Sequence, residues 1–336
     1  MVSARFALVA TLMAAACAPV SEQAPVAASD EGIKGALFVA GKFGNTLSKV
    51  NLATGKQVAL VDSCANPHEL APSPDNRHVA LACYGGTTVD IFRTDDLSKV
   101  KSIELGENAR PHGIVWHRNG HLYSTAEGRQ SMFWIRDPLG EGKALEYPTR
   151  RQGSHMLAVS PDATNAWTMD LGSGTVTRVD LVLGRTPISQ AIGEEPEGIA
   201  LSPDGETLWV SARGSDMAYA LDPQSLEKIK DVPVGDFPLR IVVRPQGDYA
   251  VTSDLADGAL SVIDTATGAR VRTIPVSSRE EAEAKIQVTI LFSPDGKRIY
   301  VAETAASTIA EVDFASGEVL RRLPGHGGGD GIAIIE

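Results

Sequence analysis

The sequence predicts an all-β protein, a seven-bladed β-propeller of four-stranded blades, on three observations. The first is a recurring stretch, clearest in Pro196-Glu197-Gly198-Ile199-Ala200-Leu201-Ser202-Pro203-Asp204-Gly205, a short apolar run closed by a tight turn. Its second residue, Glu197, falls in register with His68, His112, His155, Leu239, Val288 and Asp330, at successive intervals of 44, 43, 42, 42, 49 and 42 residues. That is the period of a four-stranded sheet repeated around an axis. The second observation is composition: 32 glycines and only 5% aromatic residues suit short strands joined by tight turns. The third lies at the chain ends. Residues 36–40 (Ala-Leu-Phe-Val-Ala) read as a second strand and residues 331–335 (Gly-Ile-Ala-Ile-Ile) as a first strand. Residues from about 35 to 62 would then give three strands of one blade and the C-terminal strand its innermost one, closing the ring and removing open sheet edges.

The chain divides into 1–17, 18–34 and 35–336. Arg5 and the apolar run Phe6 to Ala16 have the length of a signal-peptide core and are too short for a permanent span. Met13-Ala14-Ala15-Ala16-Cys17 resembles the lipobox of bacterial lipoproteins, which makes Cys17 the lipidation candidate; cleavage at Ala16-Cys17-Ala18 as an ordinary Ala-x-Ala site is the alternative. Export to the periplasm, or anchoring as an outer-membrane lipoprotein of a Gram-negative bacterium, is the expectation. Residues 18–34, rich in Ala, Pro, Ser and acidic residues, read as a flexible tether. The propeller fills 35–336. In an oxidising compartment Cys64 and Cys83, set at the same end of an expected hairpin, are a disulfide candidate; two buried free thiols are the other reading.

Within the array the fourth period shows the plan: strands at 198–202, 207–212, 217–222 and 228–234, punctuated by Ser-Pro-Asp-Gly, Arg-Gly-Ser-Asp and Asp-Pro-Gln-Ser turns. The one long interval contains Ser277 to Lys285, whose charges and alanines suit a short exposed helix on the face that carries His68, His112 and His155. Trp116, Trp134, Trp167 and Trp209 are expected as blade packing.

The Pro-Glu-Gly-Ile-Ala-Leu-Ser-Pro-Asp-Gly stretch, a following Leu-Trp-Val strand and Leu260 to Gly268 (Leu-Ser-Val-Ile-Asp-Thr-Ala-Thr-Gly) resemble the YVTN-type seven-bladed propellers. The resemblance covers nearly everything after residue 35. It implies the fold and leaves the activity open, because related lactonase-type propellers include channel hydrolases and isomerases, while others bind partners, metals or envelope components. No complete catalytic signature of those enzymes can be placed on this chain residue by residue.

The charge balance, 42 acidic against 31 basic residues without a basic run, gives no nucleic-acid footprint. Dinucleotide, Walker, His-Glu-x-x-His, haem-attachment and nucleophile-elbow motifs are absent. What remains is the aligned column. His68, His112, His155 and Glu197 come from four consecutive repeats and would face one mouth of the channel, followed by Leu239-Arg240, Val288 and Asp330. Imidazoles and a carboxylate are good ligands for a divalent metal, Zn, Cu, Ca or Mg not being distinguished. A histidine there can equally bond a neighbouring loop carbonyl. Second-strand ends offer Asp170, Asp254 and Glu303, with Glu127, Arg213 and Lys42 one place on. Two functions follow. The first is a monomeric binding or scaffolding propeller that engages a protein, peptide or small molecule, with no nucleic acid and with membrane contact only through a lipid anchor. The second is a metal-assisted hydrolase or lactonase built on the same column, with Glu197 and Arg240 as catalytic candidates.

Overall fold

In the computed structural model, which describes residues 34–140 and 143–336, the chain is all-β. The readings on residues 1–33, including lipidation at Cys17 and most of the tether, lie outside the described residues. Seven antiparallel four-stranded sheets form the ring. Counting from the first complete one, the innermost strands are Pro67–Pro72 (blade 1), Pro111–Trp116 (blade 2), Ser154–Val159 (blade 3), Pro196–Leu201 (blade 4), Pro238–Val243 (blade 5) and Gln287–Phe292 (blade 6). Blade 7 is composite. Its innermost strand is Gly329–Ile335, paired with Ala36–Gly41 through Leu37 with Ile334, Phe38 with Ala333 and Val39 with Ile332. Closure thus joins the first and last described strands, as their sequences predict.

The core is distributed over the faces between blades. One cluster joins Ala82, Ile91 and Ile103 of blade 1 to Ile114, Leu122 and Phe133 of blade 2; another joins Trp167 and Met169 of blade 3 to Ile199, Val210 and Tyr219 of blade 4. Each buried side chain of this size contributes roughly 1.5–3 kcal/mol. Trp167 and Trp209 are fully buried, as expected for packing, whereas Trp116 and Trp134 are half-buried.

Two backbone features at the start of every innermost strand position the channel residues. The residue just before the strand adopts a positive φ in all seven blades: Asn66, Arg110, Gly153, Glu195, Phe237, Ile286 and Gly328. Non-glycine residues rarely take this conformation, and bulky or β-branched ones such as Phe237 and Ile286 hold it at a cost of about 1–3 kcal/mol. The strand then bulges. Pairing of Pro67 with Cys83 jumps to Leu70 with Leu81, and equivalent jumps follow Pro111, Ser154, Pro196, Pro238 and Gln287. The two residues inside each jump leave the ladder and are free to be re-aimed. Hydroxyls in or just after the second strands hold the backbone around three of these bulges: Thr125 Oγ1 donates to the His155 carbonyl at 2.5 Å, Ser211 Oγ to the Leu239 carbonyl at 3.0 Å and Thr304 Oγ1 to the Gly329 carbonyl at 2.8 Å.

Cys64 and Cys83 are joined by a disulfide with Cα atoms 5.7 Å apart, tying the segment before blade 1 to that blade's second strand. The long interval forms the α-helix Arg279–Lys285, started by a capping box in which Ser278 and Glu281 satisfy each other's backbone N–H. It leads directly into the innermost strand of blade 6, so it stands on the channel-mouth face. No helix among the described residues is long and apolar enough to cross a membrane.

Candidate functional site in the channel mouth

The first bulge residue supplies His68, His112, His155, Glu197 and Asp330 from blades 1, 2, 3, 4 and 7, all buried. The second supplies Glu69 and Arg240 from blades 1 and 5. The remaining second positions show why this site is crowded. A Cβ on Gly331 would lie 2.0 Å from the His68 carbonyl oxygen, so glycine is required where one blade's bulge abuts the next.

The three imidazoles form a continuous row. Ring centroids are 4.7 Å apart for His68 and His112 and 3.7 Å apart for His112 and His155, with Tyr84 against His68 at 4.3 Å. Each ring has a different setting. His68 Nδ1 donates to the Asn66 carbonyl at 3.0 Å, and its Nε2 lies 4.0 Å from Asp330. This is the loop-carbonyl role. Burial and the nearby Lys42 ammonium bring the His68 pKa down to about 4, so the ring is neutral. His112 Nδ1 is buried without a hydrogen-bond partner, and burial, then the neighbouring His155, holds that ring neutral as well. His155 is different. Burial alone would lower its pKa, but Glu127 bound at Nδ1 and Glu197 3.5 Å from Nε2 outweigh it and favour the imidazolium.

Glu197 sits among cations. Arg240 Nη1 donates to its Oε1 at 2.7 Å and Arg213 Nη1 to its Oε2 at 2.6 Å. Burial alone would raise its pKa, yet His155, Arg240 and Arg213 together hold it at about 2. Such a carboxylate is a poor proton acceptor near neutral pH. Arg240 reaches past it to Glu69 at 2.9 Å. Blades 1 and 5 are three blades apart by the shorter path, the greatest separation in a ring of seven, so this pair crosses the channel. Glu69 keeps a raised pKa because its burial outweighs its single guanidinium.

The set expected from sequence is therefore divided. Glu197 is committed to Arg240 and Arg213, and His68 to Asn66 and the Asp330 side of the channel. The group that could share one ion is His112, His155 and Glu127, with one donor atom from each lying within 4.8 Å of the others. Glu127 comes from the end of the second strand of blade 2, just where a 3-10 turn, Glu127–Arg129, turns it inward. Its Oε2 accepts from Tyr84 at 2.8 Å. Arg110 stacks on the Tyr84 ring, 4.4 Å from its centroid, and donates to the Tyr84 hydroxyl. At the rim Lys42 pairs with Asp330 at 3.1 Å.

The second-strand residues separate by one position. Glu127, Arg213 and Lys42 join the channel network. Asp170, Asp254 and Glu303 instead turn into their blades and are fully buried, not solvated at the rim. Asp170 accepts from Ser154, Thr168, Thr175 and Thr177, and Asp254 from Thr252 and Ser261. Glu303 is gripped by Arg322 through two nitrogens.

Sequence reasoning missed Glu69, Tyr84 and Arg110. For Glu69 a signal existed: blades 2, 4 and 7 have glycine at the second bulge position, and blade 1 has a carboxylate that answers Arg240. Tyr84 and Arg110 lie in loops outside the repeated column and carried no such mark.

No family model matches the chain, and no curated protein matches it. Solved structures do match along its length. The hydrazine synthase of Kuenenia stuttgartiensis is 18% identical over 84% of this chain and 93% of its own, with a TM-score of 0.70. A functionally unknown protein from Desulfotomaculum acetoxidans is 15% identical over 90% and 99%, with a TM-score of 0.71. Streptogramin B lyase is 14% identical over 77% and 82%, with a TM-score of 0.66. At these identities the similarity establishes the fold, a seven-bladed β-propeller, and nothing finer.

Proposed function

We propose that this chain is an exported binding propeller of the bacterial cell envelope that takes a small polar ligand on its channel-mouth face. One observation carries the reading. His112 Nδ1, Arg240 Nε and Asp330 Oδ1, from three different blades, are buried side-chain atoms without hydrogen-bond partners. Each such group costs about 1–3 kcal/mol unless something bonds to it, and a polar ligand at the mouth would bond to several at once. Export draws support from the apolar run ending at Ala16 and from the Cys64–Cys83 disulfide, which suits an oxidising compartment. The hydrolase reading gains nothing from Glu197, whose low pKa and paired guanidiniums suit structure better than proton transfer.

The test uses the mature chain in excess EDTA. A panel of amino acids, dicarboxylates, sugars and short peptides is screened by thermal shift and followed by calorimetry. Saturable binding by at least one compound, lost in His112→Ala, supports the reading. Absence of binding across the panel, or turnover of a nitrophenyl ester or a lactone that His112→Ala abolishes, overturns it.

A further inference from the structure

We infer that His112, His155 and Glu127 form a binding site for one borderline transition-metal ion, Zn²⁺ or Cu²⁺. The inference rests on the channel mouth being a ligand site and names a ligand for it.

The donor set is complete for such an ion. Two imidazoles and one carboxylate leave an open position in a tetrahedral site and favour zinc or copper over the oxygen-seeking calcium and magnesium. The donors come from adjacent blades 2 and 3, so the fold rather than a flexible loop holds them. One donor atom from each residue already lies within 4.8 Å of the other two. A single ion held at about 2.0–2.1 Å requires donors about 3.3 Å apart. Binding would therefore draw the donors together by rotation of the side chains, whose rings stand with centroids 3.7 Å apart. A second observation points the same way: His112 Nδ1 is buried and finds no partner in the protein.

The surroundings are arranged for it. Metal-bound carboxylates are commonly held by an outer hydrogen bond, and here Tyr84 takes Glu127 Oε2, leaving Oε1 turned to the imidazole pair. The nearby cations are neutralised by other acids: Arg240 by Glu69 and Glu197, Arg213 by Glu195 and Glu197, and Lys42 by Asp330. Besides His155, which is itself one of the three donors, the cation near Glu127 is Arg110, 4.0 Å from Oε2 and half-exposed on the outer side of Tyr84. His68 lies in the same imidazole row but outside this set, which makes it the control.

The experiment uses tag-free mature protein, stripped with EDTA, dialysed, and titrated with Zn²⁺ and with Cu²⁺ by calorimetry, with elemental analysis of the product. The expected result is one equivalent per chain. His112→Ala and His155→Ala should lose stoichiometric binding, Tyr84→Phe should weaken it by roughly 10–100-fold, and His68→Asn should retain it. Because a buried variant can fail to fold, the Cu²⁺ electron paramagnetic resonance spectrum of the wild type is a second readout, expected to show coupling to imidazole nitrogens. No stoichiometric metal in the wild type, a copper signal without nitrogen coupling, binding that survives His112→Ala, or equal loss in His68→Asn overturns the site. Organic binding in EDTA with no metal uptake overturns this inference alone, whereas failure of the organic panel with metal bound leaves the metal site standing and removes the broader reading.

Discussion

Two kinds of buried acid occupy this ring, those paired with several cations and those held by hydroxyls alone. Glu197 and Glu127 face cations: Arg240, Arg213 and His155 hold the first at about 2, and His155, with Tyr84 and Arg110, brings the second below its ordinary value despite burial. Asp170 and Asp254 are fully buried, hydroxyls surround them and burial dominates, so both are raised, Asp254 to about 6. Hydroxyl donors satisfy a carboxylate geometrically without compensating the loss of water for its charge. The blade-end aspartates therefore act as hydrogen-bond hubs that pin strands together, while the channel carboxylates belong to a charge network that reaches across the axis.

The largest effect should come from breaking the charged side of this comparison. Arg240→Met leaves Glu69 buried without its cation, while Glu197 keeps Arg213 and His155, and should cost about 3–5 kcal/mol in urea unfolding. A loss under 1 kcal/mol would show that the cross-channel pair is solvated and that the two classes of acid do not differ as described. On the neutral side, Thr177→Val removes a donor 2.5 Å from Asp170 and should cost about 1–3 kcal/mol, less than Arg240→Met in the same assay. The reverse order would break the comparison. The smallest effect is a pH dependence. Because the pKa of Asp254 is raised on folding, the native state binds the extra proton between about pH 4 and pH 6. Its stability contribution is present at low pH and is lost as pH rises through the folded value. Wild type should thus gain about 1 kcal/mol relative to Asp254→Asn on going from pH 7 to pH 5, read from paired thermal melts. A gain in the opposite direction would mean that Asp254 is ionised and paired like the channel acids.

Much of the architecture was legible because the repeat is local. Ser-Pro-Asp-Gly turns, short apolar strands and the complementary chain ends are properties of neighbouring residues, and they yielded seven blades and the closing strand. The site was legible as a column but not as a set. His68 and His112 stand one blade apart in the same register, yet the first is spent on the Asn66 carbonyl and the second keeps a free Nδ1. Asp170 ends its second strand, and Glu127 stands one residue past the end of its own. A single step in register turns one toward the channel and the other into its blade.

The sequence by itself determined the ring, its count and its closure, since periodic turns and alternating burial dictate strands whatever lies at the axis. Only the tertiary structure decided which channel residues meet. That choice depends on the left-handed residue and bulge that open every innermost strand, and on which blades face each other across the axis. Glu69 and Arg240 are 171 positions apart in the chain, and only ring closure brings their charges within 2.9 Å.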